Sequence, residues 1–369
     1  MRTPHVAAAA VAALLLSDGV ADAGNAALTE VLRRLALTTG ASGYEAPVRA
    51  AIRASLPTWA DPVEDNLGNL TVTVGSGKPH WLLLAHMDEA GYVVSQIRED
   101  GYLRVQRLAR VPLPPLFDQY HVGQPLVVGA RGGSVGGVAV VPSTHLWRGS
   151  DSPLRTAALD ENLLIDVGAR TAQEAAGAGV SLLDPVVIGR RVVDLAGGLL
   201  AGPALDNRAG CATLLDLLGR LEPVKVQGTL TVAFSAQGLA DGRGAQRLAS
   251  RLIPDEVVVI DLPSAHEAHS TGPKDALPAG GPAIAVPSAG NRLSTDLFGR
   301  LSMAAGRMSI PLQLLVSPGT PEAAAFAAPA RVALIGAPIL YSGSPGQVAD
   351  PRDLSALSRI LKTVVEQAP

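Results

Sequence analysis

Aromatic side chains make up only 3% of the 369-residue chain, too few to build the stacking platforms on which proteins bind single-stranded nucleic acid. Positive charge is not in excess either: 30 Lys and Arg against 33 Asp and Glu leave a net charge of −3 with no basic stripe, which argues against nucleic acid as a partner. Cysteine occurs once, at Cys211, so an internal disulfide and a cysteine-based zinc site are excluded. Its neighbours Leu214, Leu215 and Leu218 place it in an apolar helical run, where burial is expected. A long apolar run is missing too. The longest, Val6 to Leu16, is too short to be a stable membrane span. It follows Arg2 and precedes the small-x-small site Ala21-Asp22-Ala23, the order of parts in a secretory signal peptide. Residues 1–23 are therefore read as a leader and the mature chain as secreted or periplasmic; if the Ala-rich run simply opens the first helix, the chain is cytoplasmic.

What is present is a globular composition, 47% hydrophobic and 17% charged, and a length that suggests one large α/β domain with a second, inserted domain. Helical spacing at Leu28, Val31, Leu32 and Leu35, and again from Ala46 to Leu56, gives way to alternation at Leu70 to Val74. Trp81 to Ala85 is a continuous apolar run of strand length, as expected of a strand buried on both faces. From Tyr92 to about Val193 the helical period disappears. Short β-rich runs separated by glycines (Tyr92 to Ile97, Leu103 to Leu108, Pro125 to Gly129, Ser134 to Val141, Leu163 to Val167, Pro185 to Ile188) predict an inserted small β-barrel or sandwich. One helix interrupts it at Thr171 to Ala178, with Thr171 as cap and Glu174 three residues on. After Leu205 the α/β rhythm returns: helix 207–220, strand 228–235, helix 242–252, strand Val257 to Ile260, strands near 283, 312 and 333, and a final helix from 351. The expected organisation is an α/β domain over 24–89 and 200–369 with a β-barrel domain inserted at 90–199.

Chemistry-bearing residues sit where strands end. His86 and Asp88 follow one buried strand, Asp206 precedes a helix, and Asp261 closes Val257 to Ile260. Ligands of open α/β sheets gather at the carboxyl ends of strands, so convergence there would give a divalent-metal site. One imidazole nitrogen with carboxylate oxygens suits zinc, cobalt or manganese. Asp88, two residues from His86, is placed to accept the other ring N–H. Each Asp taken singly is equally a helix cap or a loop residue.

The contexts His86-Met87-Asp88-Glu89-Ala90-Gly91, Ala204-Leu205-Asp206-Asn207-Arg208-Ala209-Gly210-Cys211 and Gly40-Ala41-Ser42-Gly43-Tyr44-Glu45 together resemble the tetrahedral or glutamyl-type (deblocking) metalloaminopeptidases, dinuclear zinc or cobalt peptidases of clan MH that are also labelled endoglucanase-like. Asp65 to Leu70, Leu163 to Ala169 and Gly280-Gly281-Pro282 extend the similarity from about Leu28 to Val365. The resemblance implies a zinc-aminopeptidase-like α/β catalytic domain with a small β-barrel inserted after the His-x-Asp strand, and a homo-oligomer. It implies that His86 and Asp261 hold one metal, that Asp206 bridges to a second, and that the Asp206–Asn207 peptide is cis.

Three departures from the family pattern fall on the active centre. Where the family has Gln-Glu-Glu, its general base followed by a ligand of the second metal, this chain reads Gln237-Gly238-Leu239; Arg243, Gly244 and Ala245 hold the register. Where the family has a metal-binding histidine before Ser, Gly343 stands. The family's Gly-Thr-Asp element is altered to Gly319-Thr320-Pro321. The expectation is a degenerate member with room for one divalent metal and none for a second, in which peptide hydrolysis is impaired or lost. Candidates to replace the lost groups are Asp241 and, in the run His266-Glu267-Ala268-His269, His266, Glu267 and His269; that run is not the zincin His-Glu-x-x-His, because its histidines are three apart. His145 and Glu161 are weaker candidates. Two alternatives stay open: an active hydrolase of peptides or small molecules with a relocated base, and a non-catalytic scaffold or binding subunit of an oligomer.

Overall fold

Trp81 to Ala85 carries no polar group that must face water, and in the computed structural model it forms the interior of a central strand, buried on both sides. The structure describes residues 25–110, 116–141, 163–261, 276–326, 328 and 330–367. The leader read at 1–23 and the candidates His145, Glu161, His266, Glu267 and His269 lie outside the described residues.

The main sheet has eight strands. From edge to edge they are β1 (Pro62–Glu64), β2 (Leu70–Gly75), β12 (Thr229–Ser235), β3 (His80–His86), β13 (Glu256–Ile260), β16 (Arg331–Gly336), β14 (Ala283–Ala285) and β15 (Gln313–Leu315). The four middle strands, β12, β3, β13 and β16, run parallel, so their carboxyl ends open on the same edge. Ser235 pairs with His86 in that register, which places the segment after β12 directly beside the end of β3.

Helices cover both faces, each burying an apolar stripe. On one side α1 (25–37), α2 (Ala46–Arg53), α5 (Leu205–Arg220), α7 (Thr295–Arg307) and α9 (Pro351–Glu366) pack into the larger core with Leu32, Leu214, Leu301 and Leu357. On the other, α6 (Arg243–Ala249) and α8 (Pro321–Ala325) cover Leu82, Leu84, Val257 and Val259. The sequence pattern does not single out α7, α8 or the short α3 (Phe117–His121).

Between β3 and the next strand of the main sheet the chain leaves to form a closed six-stranded barrel, β4 (Tyr92–Ile97), β5 (Leu103–Arg107), β8 (Leu164–Asp166), β7 (Gly133–Val140), β6 (Pro125–Ala130) and β9 (Pro185–Ile188). Its helix α4 (Ala172–Gly177) is capped by Thr171, whose hydroxyl accepts from the Glu174 N–H at 3.1 Å. A small sheet of β10 (Val193–Asp194), β11 (Leu200–Gly202) and β17 (Gln347–Ala349) joins the chain leaving the barrel to the C-terminal part of the α/β domain. The fold is thus the α/β domain with an inserted β-barrel that the sequence leads one to expect. Among the described residues no helix is long and apolar enough to cross a membrane.

Candidate metal centre

His86, Asp206 and Asp261 come together at the carboxyl edge of the parallel strands, each offering a ligand atom within 4.8 Å of those of the other two. His86 ends β3 and Asp261 follows β13. Asp206 enters by a different route: it opens α5 at a break in the helical backbone, preceded by Ala204 at φ 57 and joined to Asn207 by a cis peptide. Asn207 donates to the carbonyl of Ile260 at 2.5 Å, so the residues preceding Asp261 and following Asp206 are tied together. The Asp206 N–H donates to Gln347 Oε1 at 2.8 Å, and the Ser342 hydroxyl donates to Asp206 Oδ2.

Asp88 is fully buried and stands 3.1 Å from His86 Nδ1, leaving Nε2 as the ring nitrogen free for an ion. It does more than orient the ring. Its Oδ1 also accepts from Gly238 N at 2.7 Å, and its Oδ2 from Leu239 N at 3.0 Å. Just upstream, Ala236 N donates to Asn69 Oδ1 at 2.9 Å and Gln237 N to Glu45 Oε1 at 2.8 Å. Four successive N–H groups of the 236–239 loop are therefore each held by a side chain from one of the three N-terminal motifs. Asn69 is itself fixed by Asp65, which accepts its side-chain amide at 2.9 Å. Gln237, at φ 55, is carried in a left-handed conformation that L-residues seldom adopt and that clusters at functional sites.

The ionisable groups of the centre lie close enough to shift one another. Burial pulls the His86 imidazole down, but its hydrogen bond to Asp88 and the charges of Asp88, Asp261 and Glu322 outweigh that and carry it up to about 10. Asp261 is raised, first by burial and then by Asp206, Glu322 and Asp88, with His86 opposing. So is Glu322, first by burial and against the charge of His86. Carboxylates crowded in this way call for a positive charge among them, and a nitrogen with carboxylate oxygens is a donor set that fits a divalent ion.

The cluster lines a cavity of about 510 Å³, walled on the barrel side by Phe117, His121 and Ile188. Gly238, Leu239 and Gly343 line the same cavity and bring no donor side chain into it. Asp241 stays out. It is exposed at φ 62, and its carboxylate lies 3.6 Å from Arg110. The group that does enter is one the sequence reading passes over, Glu322. It is only 3% exposed and lines the cavity from α8. Its Oε1 lies 2.8 Å from the point where a β-carbon on Gly238 would stand. The available signal was the altered element Gly319-Thr320-Pro321, which ends one residue before it.

An α/β sheet with a metal-ligand cluster at its carboxyl edge, roofed by an inserted barrel, is the arrangement of a metallopeptidase. The family profile of the M42 glutamyl aminopeptidases matches residues 68–360, and the chain belongs to that family. It is 25% identical over 346 residues to a lysyl aminopeptidase of Pyrococcus furiosus, covering 92% of this chain and 96% of the relative. It is 29% identical over 248 residues to a glutamyl aminopeptidase of Lactococcus lactis, covering 65% of this chain and 68% of that protein. Among solved structures, the TET1 peptidase of Pyrococcus horikoshii, which assembles into a tetrahedron or a large octahedral shell, superposes with a TM-score of 0.81 at 26% identity, covering 92% of this chain and 99% of that one.

Proposed function

We propose that this chain is a single-metal member of the M42 family, with turnover of aminoacyl substrates well below that of a two-metal relative. The observation that carries the reading is the convergence of His86, Asp206 and Asp261 within 4.8 Å, in a cavity where Leu239 and Gly343 bring no donor side chain. Asp206 alone does not hold a second divalent ion against water.

A divalent ion bound at such a centre supplies Lewis acidity to a carbonyl oxygen and to water. The protein's own groups do the positioning. Asp88 fixes the His86 ring and, through the same carboxylate, the backbone at Gly238 and Leu239. Ser342 and Gln347 fix Asp206, through its carboxylate and its backbone N–H. Phe117, Ile188 and Leu239 offer an apolar wall to the side chain of a small peptide or aminoacyl substrate. Leu239 and Gly343 bring no side chain that would hold a second ion, so the chain offers no second positive centre there to steady a substrate amine or a developing oxyanion, which would cost on the order of several kcal/mol in the barrier.

Assembly into a closed homo-oligomer, as its structural relative forms, belongs to the same proposal and is supported by the shared fold across nearly the whole chain. The test is metal binding to the full chain by calorimetry and elemental analysis, with cleavage of aminoacyl p-nitroanilides assayed alongside. One tightly held ion with slow, metal-dependent cleavage supports the reading, whereas a folded chain that takes up no zinc, cobalt or manganese points to a scaffold.

A further inference from the structure

Glu322 has no counterpart in the roles the family resemblance assigns, yet it lines the cavity beside position 238, where the resemblance puts the family's base. A β-carbon placed on Gly238 would stand 2.5 Å from both Cβ and Cγ of His86 and 2.8 Å from Glu322 Oε1. The imidazole and the Glu322 carboxylate thus close on the same small volume from two sides. The carboxylate reaches it from α8, whose first turn packs against the segment after β12: a β-carbon on Gly242 would stand 3.1 Å from Pro321 Cβ and 3.2 Å from Glu322 N. A glycine at 238 and an acid at 322 suit one another: the missing β-carbon leaves the space that the Glu322 carboxylate approaches.

The local structure aims Glu322 inward. Thr320 caps α8, its hydroxyl accepting the Ala323 N–H at 3.3 Å, and Pro321 fixes the first helical turn. On that turn Glu322 and Ala323 are buried. Burying a carboxylate is costly unless something meets it. Ala323 and Phe326 pack into the apolar core on this face of the sheet and hold the helix in place beneath it.

We propose that Glu322 is the general base of this site, relocated from the β12 loop to α8; the inference rests on the single-metal reading above. In the step it would serve, the oxygen of water bonds to the scissile carbonyl carbon while one of its protons passes to a Glu322 oxygen. When the C–N bond breaks, that proton is delivered to the departing amine nitrogen. The products are a carboxylic acid and a free amine, and Glu322 is returned ionised.

The test compares the unmodified full chain with Glu322→Gln and Glu322→Asp, all loaded with cobalt(II). Three readouts are taken: metal stoichiometry and affinity by calorimetry, the cobalt absorption spectrum, and kcat and KM for alanine and leucine p-nitroanilide. Glu322→Gln should bind one ion with affinity within about tenfold and an unchanged spectrum, while kcat falls by about 10²- to 10⁴-fold and KM changes little. Glu322→Asp, which keeps the charge but withdraws it, should fall in between. Equal kcat in Glu322→Gln, or no metal-dependent cleavage by an unmodified chain that binds its ion, would overturn the base assignment. Loss of the ion or of its spectrum on Glu322→Gln would overturn it too, making the residue a ligand. An unmodified chain that binds no ion overturns the single-metal reading, and this inference with it.

Discussion

Oε1 of Glu322 lies 2.8 Å from where a β-carbon on Gly238 would stand, so these two positions compete for one volume. A glutamate placed at 238 is therefore not expected to bring the family's chemistry with it. The new β-carbon would also meet His86 Cβ and Cγ at 2.5 Å, and the imidazole would have to move. Gly238→Glu, alone or with Leu239→Glu, is expected to weaken metal binding by about tenfold or more and to gain no peptidase activity. Gly343→His adds an imidazole where the resemblance puts the family's metal-binding histidine but places a side chain at φ 77, at a backbone cost of about 1–2 kcal/mol. Calorimetric titration of these variants with zinc checks the expectation, and tighter metal binding by Gly238→Glu would contradict it.

Asp88 serves the ring and the loop together. Asp88→Ala leaves His86 Nδ1, Gly238 N and Leu239 N without their shared acceptor. Losing the ring's partner should cost about 10- to 100-fold in metal affinity. Stranding the buried N–H of Gly238 and the half-buried N–H of Leu239 should cost on the order of 2 kcal/mol in stability. Urea unfolding of the metal-free protein reads the second effect separately from the first, and unchanged stability there would show that the loop does not depend on Asp88.

Cys211 sits behind the centre on α5, fully buried, its thiol 3.3 Å from the His86 carbonyl oxygen. Burial pushes it up to about 12, the Arg208 charge opposing and Asp88 adding. At pH 8 the folded protein should therefore show no reaction with a disulfide reagent over hours, and one thiol per chain after denaturation. Rapid labelling of the native chain would show that this side of the site opens to solvent.

Much of this architecture can be read from residue order. The barrel strands announce themselves by glycine-punctuated alternation, and Tyr92–Ile97 and Pro185–Ile188 begin and end where that pattern does. His86 and Asp261 are legible because each directly ends a buried apolar run, and Asp206 because it opens a helix in a recognisable motif. Other features leave no local trace. Strands β10, β11 and β17 are only two or three residues long, too short to alternate. In α7 the run Gly299 to Gly306 is rich in Gly, Ala and Ser, which blurs the apolar stripe. Glu322 is illegible for a different reason: one acid at the start of a short helix is ordinary, and only the pairing of strands and packing of α8 bring it over Gly238.

If one metal centre survives and the other does not, the count of ions per chain shows it most directly. The unmodified full chain, purified without chelator, is dialysed against zinc or cobalt(II) and measured by elemental analysis with calorimetric titration. One tightly held ion per chain is expected, lost on His86→Ala or Asp261→Ala with the fold retained. Two tightly held ions per chain would contradict the account, because Leu239 and Gly343 would then have been replaced as ligands by groups it does not recognise.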